Sequence, residues 1–186
     1  MHLRDALALA ALVGMATAGQ ARPPGCDDSA LPADQRWNGA TSYSTPELDR
    51  FYSLSGKMSA AYNANEFGSA DALAREYLQL ARRFPCNWNY GNAIHKANLI
   101  LGLVARRGGR KAEAVSYLSS AGTTPGSPQL DSFGPSLLLA REWAKAGEHK
   151  AVAGYLRSVQ RFWKAKDMSP TGLLFPYFAD PDPIST

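Results

Sequence analysis

From Thr45 to about Lys166, apolar residues recur at intervals of three and four, the spacing that puts them on one side of an α-helix. No alternation of apolar and polar residues marks a strand in that span. The pattern predicts an all-α fold. Thr45-Pro46-Glu47 reads as its first helix start: a hydroxyl cap, proline at the first helical position, then an acid in the first turn. Before it, residues 22–44 carry Pro, Gly, Asp, Asn and Ser without a period and predict an irregular N-terminal arm. Beyond the helical domain of residues 45–166 lies a proline-rich tail, residues 167–186. One stretch inside the domain breaks the pattern: Thr123 to Ser136 holds three prolines and two glycines, and predicts a stiff irregular loop between helices.

Aligning Gly68, Gly109 and Gly147 brings out a repeat. Each glycine is expected to end one helix and begin the turn to the next. Seven residues before them stand Ala61, Gly102 and Ala140; nine residues after stand Tyr77, Leu118 and Leu156; twelve after stand Leu80, Ala121 and Val159. Pro85 and Pro125 stop the second helix of the first two units. The clearest unit is NLILGLVARRGGRKAEAVSYLSSAGTTP. This pattern resembles the tetratricopeptide repeat, two antiparallel helices per unit with a small residue at their crossing and a closing proline. The resemblance covers residues 50–165 and implies about three stacked helical hairpins, but no activity. It departs from the family in spacing. The glycines lie 41 and 38 residues apart, against the usual 34 of that repeat. Both insertions, Cys86 to Gly91 and the 123–136 loop, fall between the second helix of one unit and the first of the next, so both are expected at one edge of the stack. NAIHKANLILG, AGTTPGSPQLDSFGPSLLLA and the closing Gly-Glu, Tyr-Leu and Phe-Trp pairs also resemble a group of small exported bacterial helical-repeat proteins, over residues 87–163.

The N-terminus changes the picture of where the protein works. Ala6 to Ala18 is an apolar run, short for a membrane span and suited to a signal-peptide core; small residues follow it, so residues 1–21 predict a signal peptide. The rival is an amphipathic N-terminal helix, for which Asp5 argues. Two cysteines, Cys26 and Cys86, fit export, and are expected to pair as a disulfide. Pro23-Pro24-Gly25 does not suit lipid modification of Cys26, and two thiols alone make a poor zinc site, so no metal is expected. The expected location is periplasmic or secreted, without stable membrane insertion after cleavage. A net charge of +4 with scattered cations lacks the continuous basic stripe that nucleic acid requires. No phosphate loop, dinucleotide fingerprint or HExxH occurs, and no cofactor is expected.

Two sets of residues carry candidate chemistry. His95 stands near the start of a helix beginning around Asn92, and Asp131 and Ser132 lie in the loop one junction further along; stacking of neighbouring junctions would bring His95 and Asp131 together. A histidine, a carboxylate and a hydroxyl are the parts of a hydrolase, although no nucleophile elbow accompanies them. The competing account has His95 hydrogen-bonding a loop backbone, and Asp131 or Ser132 capping the helix that follows. The second set lines the concave side of the stack: Met58, Tyr62 and Asn65, then Leu99, Leu103, Arg106 and Arg107, then Leu137, Arg141 and Lys145. An apolar floor with a basic end suits an extended peptide with an acidic or free carboxyl terminus. The arm or the tail, with its apolar Leu173 to Phe178, is the rival occupant. The expected function is therefore an exported binding or scaffold module that recognises a peptide or protein segment, with a small hydrolase using His95 and Asp131 as the alternative.

Overall fold

The structure, a computed structural model, describes residues 26, 27, 29 and 45–163. The signal peptide expected at 1–21, most of the 22–44 arm, and the 167–186 tail with its 173–178 apolar run lie outside the described residues. The described chain is all-α and contains no strand. It comprises α1 (Pro46–Asn63), α2 (Phe67–Ala81), α3 (Tyr90–Arg107), α4 (Lys111–Gly122), the short α5 (Pro128–Phe133), α6 (Leu138–Lys145) and α7 (His149–Val159).

Adjacent helices pack as antiparallel pairs, α1 with α2, α3 with α4, and α6 with α7; α3 also touches α1, α2 and α6, and α4 touches α7. Thr45 starts α1 as the sequence predicts: its Oγ1 accepts from the Leu48 N–H at 3.1 Å, with Pro46 in the first turn. One stripe of α1, Phe51, Leu54, Met58 and Ala61, is buried against α2, which answers with Ala70, Ala74, Tyr77 and Ala81. The large residues come mostly from one helix and the small ones from the other, so the axes approach closely while volume stays filled. Each fully buried Phe, Leu or Met contributes roughly 1.5–3 kcal/mol. Helix α3 is buried on several sides because it lies between two cores. Ala93, Ala97, Ile100, Leu101 and Val104 join the first; Leu99, Leu103 and Ala105 join Leu118, Leu139, Trp143 and Tyr155 in the second.

Three turns share one geometry. The N–H groups of Glu66, Arg110 and Glu148 donate five residues back, to Ala61, Ala105 and Trp143. The residue before each, Asn65, Gly109 or Gly147, has positive φ and donates three residues back. This is the left-handed closure of a helix end, which satisfies carbonyls the helix leaves free. It corrects the alignment of the first unit. Gly68 lies inside α2, and Asn65 is the true counterpart of Gly109 and Gly147. Gly102 does sit at a crossing, since a Cβ there would lie 2.3 Å from Leu139 Cδ2.

The 123–136 stretch also needs correction, because it contains a helix. Ser127 caps α5, its Oγ accepting from Leu130 N at 3.1 Å, with Pro128 in the first turn. Asp131 and Ser132 lie within α5, and neither caps α6. Cys26 and Cys86 form a disulfide with Cα atoms 5.5 Å apart, joining the arm to the α2–α3 connection.

Candidate functional site

The two inserted segments meet at one edge through a buried polar network. Asn89 Nδ2 donates to the Tyr77 hydroxyl at 2.8 Å. Asn92 Nδ2 donates to Asn89 Oδ1 at 2.8 Å and to Gln129 Oε1. Ser127 Oγ donates to Asn92 Oδ1 at 2.7 Å, and Thr124 Oγ1 donates to the Gly91 carbonyl at 2.8 Å. Helix α3 begins at the centre of this network because Asn87 Oδ1 accepts from the Asn89 N–H and turns the chain into it. Burial without these bonds would leave several amides unpaired, each at a cost of about 1–3 kcal/mol.

His95, one turn deeper on α3, is 1% exposed. Its Nδ1 lies 3.1 Å from the Ala121 carbonyl, and its Nε2 lies 3.0 Å from the Ser136 N. Carbonyls accept and amides donate, so Nδ1 carries the proton and Nε2 offers its lone pair. Burial pushes the imidazole down to about 4, with Lys96 adding to the effect and the Ala121 hydrogen bond opposing it. The ring stacks on Tyr155, whose hydroxyl donates to the Ser136 carbonyl at 2.8 Å. No hydrogen bond joins His95 to Asp131. The Asp131 carboxyl is raised by partial burial, against a hydrogen bond from the Ser127 backbone.

The expected groove residues separate into two groups. Met58, Leu99, Leu103, Leu137 and Arg141 are buried, the first four within the two cores. Arg106 pairs with Glu142 at 3.1 Å and lies over the Trp143 ring, and Lys145 reaches the same carboxylate at 3.6 Å. Arg107 is exposed. Its Nε donates to the Tyr62 hydroxyl at 3.0 Å, and its guanidinium lies 5.5 Å from the Tyr62 ring centre and 4.9 Å from that of Phe67. Asn65 is occupied as a turn residue.

The sequence did not single out Lys96. Its half-buried ammonium donates to Ser55 Oγ at 3.2 Å, and burial lowers its pKa. No carboxylate pairs with Lys96 or Arg107 among the described residues. Nothing in the residue pattern signals this, because a missing partner shows only when the helices are assembled. Among the described residues, no cluster of His, Cys, Asp and Glu could hold a metal, and no helix is long and apolar enough to cross a membrane. No protein-family model, curated protein or solved structure matches this chain.

Proposed function

We propose that this chain is an exported helical-repeat module of the tetratricopeptide kind that binds an extended, acidic peptide or protein segment in the cell envelope. The three equivalent turns at Asn65, Gly109 and Gly147 support the repeat. The Cys26–Cys86 disulfide supports an oxidising compartment.

The observation that carries the binding reading is the pair Lys96 and Arg107. They are eleven residues apart, three helical turns within about 20°, so they share one face of α3 about 16 Å apart. Each is held by a hydroxyl of α1, from Ser55 and from Tyr62. Two oriented cations without counter-charges among the described residues favour a ligand with two carboxylates at matching separation. Residues four apart on one side of an extended peptide span about 13 Å, within reach of both side chains. The floor between them is closed, with Leu99 3% and Leu103 4% exposed. Recognition would therefore fall on the charges and hydroxyls rather than on the leucines. The hydrolase alternative gains no support, because both ring nitrogens of His95 are engaged by backbone.

Fluorescence anisotropy with a labelled peptide carrying two glutamates four residues apart tests the proposal. Binding that weakens with salt, and falls at least tenfold in Lys96→Gln and in Arg107→Gln but not in Lys145→Gln, is expected. No binding, or binding unchanged in the Lys96→Gln/Arg107→Gln double variant, refutes it.

A further inference from the structure

The segment 123–136 is fastened at its two ends by different chemistry. Its near end is held by neutral groups, Thr124 to the Gly91 carbonyl and Ser127 to Asn92, which do not titrate near neutral pH. Its far end is held by two side chains, a tyrosine hydroxyl that keeps its proton in acid and a histidine that gains one. The Ser136 N–H donates to the His95 lone pair at 3.0 Å, and Tyr155 holds the same residue through its carbonyl. The Ala121 carbonyl at 3.1 Å fixes the proton on the other nitrogen. The bond to Ser136 therefore exists only while His95 is neutral. A proton on Nε2 would set one N–H against another.

The surroundings offer the charged ring nothing. On its own helix the neighbouring Lys96 repels it. From α4 it receives one carbonyl, already bonded, and from α7 the ring of Tyr155. The titratable group on the segment itself, Asp131, makes no bond to it, and no carboxylate acts on it among the described residues.

We propose that the Ser136–His95 contact is an acid-operated latch: protonation of His95 frees the far end of segment 123–136, with α5, while the helical hairpins stay folded. The near-end hydrogen bonds keep the freed segment tethered. Release takes Leu130, buried in the closed state, away from the helices, while Leu137 stays in the core with its carbonyl on the Arg141 N–H. It does so beside Phe133, which is already 83% exposed, and so enlarges an apolar surface in acid.

The sign follows from proton binding. In the closed state the ring takes up its proton only near pH 4, and in an opened, hydrated state near the ordinary 6.5. The open state therefore binds more protons between those values, and opening grows about tenfold for each pH unit below 6.5. It levels off near pH 4 after about a 300-fold rise.

Hydrogen exchange of the full chain between pH 7 and pH 4, corrected for intrinsic rates, tests the latch. Exchange in residues 127–136 should quicken by up to about 300-fold while α1 and α2 keep their protection. His95→Gln should flatten this dependence, and Asp131→Asn should leave it intact. As His95→Gln could fail to fold, NMR titration of the wild-type His95 ring supplies a second readout: its midpoint should coincide with the pH at which exchange of the Ser136 amide levels off. Constant protection of 127–136 down to pH 4, simultaneous loss of protection in every helix, or a pH dependence that follows Asp131 instead of His95 would each overturn the proposal.

Discussion

Replacing Gly91 with alanine places a methyl group where the two inserted segments touch. The new Cβ would lie 1.8 Å from the Gly126 carbonyl oxygen and 2.5 Å from its carbon. Ordinary contact begins at 3.4 Å, so the oxygen must retreat by 3.4 − 1.8 = 1.6 Å. The obstructing atoms are backbone, and no side-chain rotation relieves them. Such a shift breaks the Thr124 bond to the Gly91 carbonyl and strains the Ser127 bond to Asn92. Two hydrogen bonds at about 1 kcal/mol each, with about 1–3 kcal/mol of overpacking, oppose a helix-propensity gain of at most about 1 kcal/mol. The expected net loss is about 2–4 kcal/mol, a fall in Tm of about 10 °C for a domain of this size. Circular dichroism during heating and in urea measures it. Gly56→Ala is the control: its Cβ would meet nothing within 4 Å in the middle of α1, so it should gain about 0.5–1 kcal/mol. A Gly91→Ala protein that melts within 2 °C of wild type or above it, in an assay that resolves the gain at Gly56→Ala, refutes the close-approach argument.

Reducing the Cys26–Cys86 disulfide removes a link across 60 residues, worth up to roughly 4 kcal/mol in the chain-entropy account. Urea unfolding with and without dithiothreitol should show the difference, and coincident curves would contradict it. Tyr77→Phe deletes the hydroxyl that accepts from Asn89 in a buried position. It should lose about 1–2 kcal/mol by leaving an amide proton unpaired, and equal stability in urea titrations would show that the network tolerates the gap.

How far the sequence could be read depended on where the deciding partner lay. Thr45-Pro46 declared a helix start because cap, proline and first turn are neighbours in the chain. Gly109 and Gly147 were legible for a similar reason, since positive φ favours glycine. Asn65 makes the same turn, but asparagine also tolerates that conformation, and the nearby Gly68 drew the alignment three residues off. Helix α5 repeats the Thr45-Pro46 signal as Ser127-Pro128; it was obscured by the prolines and glycines on either side, although the local cue was present.

The candidate site was less legible, because its defining relations are tertiary. Arg106, Arg107 and Lys145 look alike in sequence. Glu142, 36 residues beyond Arg106, pairs with Arg106 and Lys145 and leaves Arg107 to two aromatic rings. His95 lies against the 123–136 stretch, but its partners are a carbonyl and an amide, groups that every residue except proline carries in full. A side-chain search looks for Asp131 and misses Ser136, since a backbone partner leaves no residue-type signature. What sets the histidine's chemistry is therefore the geometry of the fold: one buried ring joins the end of α4 to the start of α6, and can do so only without a second proton.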